Sequence, residues 1–470
     1  MSDSTGVDAA PRTPLTANQR LLAIGLILGV TLVAFESTSV ITALPTITDD
    51  LGGDSLYGVT LASYTLANMV TLVAAGRLSD RKGPRPTFLL AIATFVVGLL
   101  VSGFAPSMAF VVIGRVLQGM GAGGFAPIAY ALVKRAFPDD RQPMMYVFLS
   151  AGWVLPSLVA PAFGGLITDA FGWRWVFFGI IPLAVVVGFI ASTPMRAYGP
   201  VPAHDHDHDH DLDHDHDHDH DDPRRILIAL FAATGTGVFI LGLRSAHVAV
   251  AIGAVALGLG VAIPALRRLL PPGSFVARPG QPAVLACRVL ATATFIGVDG
   301  FVPLAADRIH GATPIVQGFT IIGAALTWTA GPAVIAKRQD IAPATAVRIG
   351  FCFLLLGVLL VAPVLSSSWP LWATFLGWSV GGLGMGVLFN PTTLAAMSYA
   401  EEGREGTVSS QVQLVDALGF SLMGGVGGAM VAYADRTDTG LQTALAASVA
   451  LAAACSLVGI VVCRGVRRAG

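Results

Sequence analysis

Five ionisable side chains lie within long apolar stretches of this chain, where a charge is expensive to keep. They are Glu36, Arg115, Arg288, Asp299 and Asp416. A charged group at the centre of a bilayer costs roughly 2.5–3.5 kcal/mol on insertion scales, so such groups are functional by default. Loss of water favours the neutral form of a carboxyl group, which can therefore bind and release a proton there. An arginine stays charged and needs an acidic or carbonyl partner.

We interpret Glu36 as the main proton-coupling residue and Arg115 as the charge that ties its protonation to helix position. The alternatives are a neutral Glu36 bonded to neighbouring Ser or Thr hydroxyls and an Arg115 that only braces helix ends. Asp416 lies about ten residues, or some 15 Å, into its apolar stretch and so near the midplane. Asp299 is similarly deep. Both are candidate second proton or cation sites, with a buried pairing to Arg288 as the alternative for Asp299.

Two kinds of side chain are candidates to line an apolar substrate cavity. The amides at membrane depth are Gln118, Asn390 and Gln413. The large aromatic residues, for which core packing or lipid contact is the alternative, include Trp153, Trp328 and Trp378.

A short charged hairpin connects two of the apolar stretches. Its sequence, G-R-L-S-D-R-K-G-P-R over 76–85, carries four cations and one carboxylate, and such a segment must lie in water at one face of a membrane. Asp80 can lie at the N-terminus of a later helix, where the macrodipole favours an anion. Topology-setting charge is the alternative. The predicted gating residues are Gly76, Arg77, Asp80, Arg81, Gly83 and Arg85.

The elements that must position these groups are membrane helices. The chain of 470 residues is 54% hydrophobic and 12% charged, with a mean hydropathy of +0.72, well outside the range of soluble proteins. About fourteen apolar stretches reach the length of roughly twenty residues that crosses a bilayer core. They lie near 20–45, 56–77, 86–105, 108–133, 143–168, 174–193, 226–243, 248–266, 284–304, 314–336, 345–364, 370–396, 407–433 and 440–463.

Basic residues predict the orientation of these helices. With the N-terminus in the cytoplasm, about 22 of the 28 Lys and Arg residues fall in cytoplasmic segments, as the positive-inside rule requires. Removing one crossing would invert everything that follows and spoil this bias, so the sequence predicts an even number. The arginines on the other side would be Arg174, Arg244, Arg308 and Arg436.

The hairpin pattern G-x-L-x-D-R-x-G-P-R resembles the signature loop between the second and third helices of the major facilitator superfamily. The stretch 35–45 is similar to the first-helix motif of its drug:proton antiporters, which usually have Asp where this chain has Glu36. The stretch 114–119 resembles the fourth-helix motif, whose buried arginine, here Arg115, is implicated in proton transfer. The stretch 160–165 is a partial match to the fifth-helix motif of antiporters.

This resemblance implies the fourteen-helix drug:proton antiporter branch and a major facilitator fold. That fold has two six-helix bundles that rock around a central site, here with two extra central helices. The expected division of the chain is a cytoplasmic tail (1–17), an N-terminal bundle (18–193), a His/Asp-rich cytoplasmic linker (194–225), two additional helices (226–268), a C-terminal bundle (282–463) and a basic cytoplasmic tail (464–470).

Within the linker, residues 204–222 alternate His and Asp almost without break. Leu212 is the one apolar residue of this segment, so it has no apolar face to bury and is predicted to be disordered. A solvated charged spacer is the simpler interpretation; the alternative is a zinc or nickel site, because imidazole and carboxylate groups are good ligands for such metals. The candidate ligands are His204, His206, His208, His210, His214, His216, His218 and His220.

The predicted function is proton-coupled transport, with export of drug-like or other small organic compounds across the plasma membrane (the cell inner membrane). The alternatives are export of a divalent metal or metal chelate and, from a different class, a membrane-embedded sensor or enzyme. We expect no enzymatic activity, because no nucleophile–base constellation or nucleotide loop is present in the sequence. The expected partners are a small-molecule substrate and the lipid bilayer, with no nucleic acid, no cofactor beyond the proton gradient, and a functional monomer.

Overall fold

The computed structural model describes residues 13–52, 56–200, 224–243, 245, 247–336, 341–434 and 440–468. Every regular element within these ranges is helical. In chain order the α-helices are α1 (Ala17–Leu51), α2 (Tyr57–Lys82), α3 (Pro84–Gly103), α4 (Met108–Ala122), α5 (Phe125–Ala136), α6 (Gln142–Phe171), α7 (Arg174–Phe178), α8 (Ile180–Ser192), α9 (Arg224–Leu243), α10 (Val248–Leu269), α11 (Gln281–Asp299), α12 (Val302–His310), α13 (Pro314–Ala336), α14 (Pro343–Val361), α15 (Leu371–Met397), α16 (Glu405–Ala434) and α17 (Leu441–Val462).

Twelve stretches of the described chain are long and apolar enough to cross a membrane. Three of them join two consecutive helices: α4 with α5, α7 with α8, and α11 with α12. Two other helices, α6 and α13, are 30 and 23 residues long and also reach membrane length at about 1.5 Å per residue. Together, the twelve stretches and these two helices agree with the approximate count of fourteen crossings. The all-α membrane fold predicted from the sequence is confirmed.

Buried side chains form two large apolar cores. One lies among α1 to α8 and includes Phe95 and Phe177; the other lies among α11 to α17 and includes Phe351 and Trp378. We call these two groups of helices the N-terminal bundle and the C-terminal bundle. The close packing within each depends on small residues, since a Cβ atom at Gly357 would meet the backbone of Gly381.

The helices α9 and α10 form a hairpin beside the line where the two bundles meet. A third apolar cluster joins this central hairpin to α2 of one bundle and α16 of the other. Met69 and Leu414 supply the bundle side chains, and Ala233 and Leu266 supply those of the hairpin. The hairpin therefore contacts both bundles.

Both ends of the described chain are tied to the same face of the molecule. The Thr13 amide donates to Asp140 Oδ2 over 2.8 Å in the connection between α5 and α6. The Gly280 amide, which lies just before α11, donates to the Gly465 carbonyl over 2.9 Å. The loop between α2 and α3 lies at this face as well. We call it the basic face, because the sequence places most Lys and Arg residues in its loops.

Candidate functional site

A cavity of about 530 Å³ lies between the two bundles, within the size range of small-molecule sites. Helices α2, α4, α5 and α6 form one wall, and α11, α13, α15 and α16 form the other. Most of its surface is apolar. The polar side chains on its walls are Asn68, Tyr130, Ser150, Asp299, Gln413 and Asp416.

Asp416 of α16 is bound to Arg288 of α11 by a two-pronged ion pair. Arg288 Nε donates to Oδ1 over 2.9 Å and Nη2 donates to Oδ2, so both carboxylate oxygens are occupied. Arg288 Nη1 donates to Thr393 Oγ1 over 2.6 Å and to the Phe389 carbonyl over 3.2 Å. The guanidinium carbon also lies 3.7 Å from the centre of the Phe389 ring. Arg288 is fully buried, whereas Asp416 reaches the cavity wall.

Glu36 of α1 is bound to Arg115 of α4 by a second buried ion pair, within the N-terminal bundle. Arg115 Nη1 donates to Glu36 Oε1 over 2.6 Å and to Gln118 Oε1 over 2.7 Å. The Tyr64 ring covers the guanidinium carbon at 4.0 Å. Glu36 and Arg115 are 0% and 1% exposed, and neither belongs to the cavity wall. The proposed alternative for Glu36, bonding to Ser or Thr hydroxyls, is wrong in this structure.

The Glu36–Arg115 pair differs from the Asp416–Arg288 pair in having unused atoms. Among the described residues, Glu36 Oε2 and Arg115 Nε are buried without a hydrogen-bond partner. A buried polar atom without a partner is uncommon and calls for an explanation. The free Glu36 oxygen can carry a proton without any loss of the bond that Oε1 accepts from Arg115.

Glycines let the helices around Arg115 approach closely. A Cβ atom at Gly98 would meet the backbone of Gln118, and one at Gly114 would meet the Ser102 hydroxyl. This proximity allows Gln118 Nε2 to donate to the Gly98 carbonyl over 3.1 Å and to Ser102 Oγ over 3.0 Å. Gln118 thus holds Arg115 in place and does not line the cavity, so its prediction as a cavity residue is wrong.

The two other predicted cavity amides have different positions. Gln413 lines the cavity, and its side chain is hydrogen-bonded to the Tyr130 hydroxyl of the opposite bundle, which also bonds Ser150. Asn390 Nδ2 instead donates to the Pro143 carbonyl over 3.1 Å. Asn390 therefore joins α15 to α6 outside the cavity wall, and its prediction as a lining residue is also wrong.

Asp299 is a second carboxyl group on the cavity wall, at the point where α11 ends. Trp378 Nε1 donates to Asp299 Oδ1 over 2.8 Å. The carboxylate partner of Arg288 is Asp416, so the considered pairing of Asp299 with Arg288 is wrong. The Phe295 ring centre lies 4.9 Å from that of Trp328 and 5.2 Å from that of Trp378. A carboxyl group beside aromatic faces is a favourable site for a cation.

At the basic face, Asp80 caps the N-terminus of α16 from the opposite bundle. Its Oδ1 accepts from the Gly406 amide over 2.8 Å, and its Oδ2 accepts from the Thr407 amide and hydroxyl, both over 2.9 Å. A helix N-terminus has amide groups without helical partners, and an anion there is favourable. This is the position that the sequence predicted for Asp80.

The rest of the hairpin loop surrounds this cap. A Cβ atom at Gly76 would meet the Gly406 carbonyl and the Ser410 side chain, so a glycine is needed where α2 crosses α16. Arg77 lines a small cleft at the same crossing, and Arg81 lies in the last turn of α2. Gly83 has a φ angle of 89°, which makes the turn that glycine tolerates best. Arg85 lies in the first turn of α3.

Further contacts seal the basic face. Met397 and Val408, from α15 and α16, are buried in the apolar core of the N-terminal bundle. Together with the Asp80 cap and the Asn390 bond, they join the two bundles on this side of the cavity.

The predicted metal ligands, His204 to His220, lie outside the described residues. Within the described ranges, no group of three or more His, Cys, Asp or Glu side chains is arranged to hold a metal ion. The linker hypothesis stays a prediction.

Sequence analysis missed Tyr130, Ser150 and Asn68 on the cavity wall. Their helices are apolar around most of their circumference, which is typical of membrane spans, so hydrophobic periodicity does not show which face is turned to a cavity. Phe389 was missed for the same reason.

Two helix bundles that enclose a central cavity and meet at one face define a membrane transport protein of the rocking-bundle type. The family model described as Major Facilitator Superfamily matches residues 26–424. The chain belongs to this superfamily, which is one of transporters and not of enzymes.

Similar proteins and a solved structure support this assignment. Multidrug resistance protein 3 of Bacillus subtilis is 33% identical over 174 residues, which are 37% of this chain and 34% of that protein. The match thus spans about a third of that relative's length. A protein named "Probable multidrug-efflux transporter" from Mycobacterium tuberculosis is 26% identical over 416 residues, or 86% of each chain. The crystal structure of the human organic anion transporter MFSD10 (TETRAN) has the same fold, with a TM-score of 0.69, 15% identity and coverage of 96% of this chain and 100% of that one.

Proposed function

We propose that this transporter is a proton-coupled exporter of small organic compounds, including drug-like ones, across the plasma membrane. The observation that carries the proposal is the position of Asp416, a carboxyl group on the wall of the cavity between the bundles and bound to Arg288. The names of the multidrug-efflux relatives support the choice of substrate class.

The orientation follows from charge. Cytoplasmic loops of membrane proteins are enriched in Lys and Arg, so the basic face and both termini lie in the cytoplasm. The contacts of Asp80, Asn390 and Met397 then close the cytoplasmic side of the cavity. One chain holds both bundles and the cavity between them, which supports a functional monomer.

The exchange of proton for substrate takes place at the cavity carboxyl groups. A cationic substrate is attracted to Asp299 and Asp416 and held against the rings of Trp328 and Phe389. Protonation removes the charge of Asp416, weakens its bonds to Arg288 and weakens the attraction for the substrate. Proton and substrate therefore compete for the same group, which is the requirement for antiport.

Glu36 has the complementary role of a proton site closed off from the cavity. A proton on its free Oε2 neutralises the carboxyl group while Arg115 stays charged. Exchange of this proton requires a movement of α1 against α4, so its release accompanies rearrangement of the N-terminal bundle. The two ion pairs then act at different steps of one transport cycle.

Reconstituted protein tests the proposal. In liposomes with an imposed pH gradient, a fluorescent lipophilic cation should accumulate against its own gradient, and addition of substrate should stimulate proton movement. An Asp307→Asn variant, altered at an exposed carboxylate of α12, serves as the matched control. Substrate transport at a rate independent of the pH gradient would refute proton coupling. The absence of any transport of organic cations would refute the substrate class.

A further inference from the structure

The connection between α10 and α11 forms a small basic pocket at the basic face. The pocket has a volume of about 360 Å³ and is lined by Arg267, Pro271, Pro272, Gly273, Ser274, Phe275, Val276 and Arg278. It is separate from the transport cavity, which is lined by other helices. No step of the proposed transport cycle uses it.

The backbone of this connection is a well-defined turn. The Ser274 amide donates to the Pro271 carbonyl over 3.2 Å, and the Arg278 amide donates to the Gly273 carbonyl over 3.2 Å. Gly273 and Ala277 both have positive φ angles, 90° and 48°. Ala277 is the single non-glycine residue with a positive φ angle among the described residues. Such a conformation is uncommon for a residue with a Cβ atom and persists when the surroundings require it.

The turn exposes two apolar side chains beside cationic ones. Phe275 is 51% exposed and Val276 is 71% exposed. The Arg267 guanidinium carbon lies 5.7 Å from the centre of the Phe275 ring, within cation–π range. Arg278 also lines the pocket. In the described part of the chain, the ion pairs between side chains involve neither of these arginines.

The location of the turn places it at the border of the membrane. Arg267 lies in the last turn of α10, a helix that crosses the bilayer and whose outer face exposes Leu257 and Leu259 to lipid. A favourable interaction with the helix C-terminus explains one arginine at this position. It does not explain Arg278, which lies outside any helix, or the exposed apolar pair.

We propose that this pocket binds the headgroup of an anionic phospholipid, with Arg267 and Arg278 contacting the phosphate and Phe275 and Val276 lying among the first acyl carbons. Basic pockets on the cytoplasmic side of membrane proteins suit acidic headgroups, and apolar side chains beside them add an interfacial anchor. A free phosphate ion shares the charge chemistry but leaves the apolar pair in water, so the structure favours the lipid. The inference does not depend on the transported substrate.

The site also touches the contact between the central hairpin and the C-terminal bundle. Gln411 of α16 donates to the Leu269 carbonyl over 3.1 Å, just before the turn, and accepts from Gln281 Nε2 over 3.0 Å, just after it. A bound lipid therefore lies against a segment that is hydrogen-bonded to α16.

Native mass spectrometry of the full-length protein in detergent tests the site. Phosphatidylglycerol and phosphatidylcholine with identical acyl chains are compared as ligands. The wild-type protein should prefer phosphatidylglycerol, and Arg278→Gln should weaken that binding about fivefold, as expected for the loss of one cation at a membrane surface. The Arg267→Gln/Arg278→Gln double variant should lose about 25-fold. The neighbouring Arg268→Gln is the matched control, because it removes an equal charge outside the pocket, and it should weaken binding less than Arg278→Gln does.

Equal losses in Arg268→Gln and Arg278→Gln would overturn the proposal, because they indicate unspecific attraction to the whole basic face. Competition by millimolar glycerol phosphate as effective as that by the lipid would also overturn it in favour of a free-anion site. A Phe275→Ser/Val276→Ser variant adds a test that changes no charge: it should lower lipid binding and leave glycerol phosphate binding unaffected. If the double arginine variant does not run as a single species in size exclusion, Arg278→Gln alone decides the question.

Discussion

The two buried Arg–carboxylate pairs, one in each bundle, have opposite limitations. Asp416 faces the cavity, but both of its oxygens are bonded to Arg288. Glu36 has a free oxygen, but it is 0% exposed and lies outside the cavity wall. The Asp416 carboxyl group can be reached from the cavity and is held at both oxygens, whereas the Glu36 carboxyl group is held at one oxygen and is sealed from the cavity.

Under the proposed function, this difference keeps the two candidate proton sites, Glu36 and Asp416, from acting at the same moment. At Asp416 a proton or a cationic substrate weakens the bonds to Arg288, so occupancy changes the contact between α11 and α16. At Glu36 the bonds allow a proton, but the packing of Gly98, Gly114 and Gln118 must open first. Under the proposed function, the C-terminal pair responds to the cavity contents, whereas the N-terminal pair responds to helix movement. Substitutions at the two pairs should therefore fail in different ways.

The largest effect is expected at Asp416. Asp416→Asn leaves Arg288 buried without a counter-charge, a change that costs about 3–5 kcal/mol when one partner of a buried pair is removed. We expect loss of substrate gradient formation in liposomes together with a lower thermal midpoint. In the Arg288→Gln/Asp416→Asn double variant, stability should largely return while transport stays absent. Recovery of proton-driven transport in the double variant would contradict a coupling role.

Glu36→Gln should separate binding from coupling. The amide keeps an acceptor for Arg115 and cannot exchange a proton, so substrate binding measured by fluorescence should stay near that of the wild type while uphill transport disappears. Asp169→Asn, on an exposed position of α6, is the control. A Glu36→Gln protein that still builds a substrate gradient from a pH gradient would assign coupling to Asp416 alone.

The accessibility of the two carboxyl groups can be measured directly. A hydrophobic carbodiimide should label Asp416 or Asp299 from the cavity, and a bound substrate should protect them, while Glu36 should react only slowly. Peptide mapping by mass spectrometry identifies the modified residue. Rapid, substrate-protected labelling of Glu36 would show that the N-terminal pair is also open to the cavity and would remove the distinction.

The sequence was sufficient for the helices and for much of the charge pattern. Apolar stretches predicted nearly every membrane helix, because in a membrane the backbone must satisfy its hydrogen bonds within each helix. The sequence predicted Asp80 at the N-terminus of a later helix, since an anion there is a local electrostatic preference, and the structure shows that this helix is α16. The prediction that Glu36 and Arg115 are buried polar groups rested on the free-energy cost of placing a charge inside the bilayer.

Partnerships across the bundle were harder to predict. Arg288 and Asp416 are separated by 128 positions in the chain, and nothing local distinguishes Asp416 from Asp299 as the partner. Gln118 and Gln413 are both amides at membrane depth, yet one holds an arginine and the other lines the cavity. Their roles depend on helix rotation, which an apolar helix surface does not encode in its periodicity.

The Asp80 cap should affect the ratio of closed to open forms of the basic face more than it affects the rate of proton binding. Asp80→Asn removes the negative charge of the carboxylate that accepts hydrogen bonds from the Gly406 and Thr407 amides. Gly76→Ala adds a methyl group that would clash with the Gly406 carbonyl. A loss of about 1–2 kcal/mol corresponds to a shift of about 5–30-fold in the ratio of closed to open forms. Distances between paired spin labels at the basic face should lengthen in both variants. Gly165→Ala, where a Cβ atom meets nothing within 4 Å, is the control; an equal shift there, or none in Asp80→Asn, would leave the loop with a topological role only.

The smallest effect, and the one that separates the two glutamines, is expected at Gln413. Gln413→Ala removes the bond to Tyr130 across the cavity, and a typical net hydrogen bond is worth about 1 kcal/mol, or about fivefold in an affinity. We therefore expect changes of a few fold in KM that differ between substrates, with little effect on thermal stability because the cavity leaves room for water. Gln118→Ala should do the reverse, since it strips a partner from Arg115, Gly98 and Ser102 inside the N-terminal bundle. Its thermal midpoint should fall while the relative KM values of different substrates stay constant. Substrate-dependent KM changes in Gln118→Ala, or uniform ones in Gln413→Ala, would mean that the wall of the cavity has been assigned to the wrong helix face.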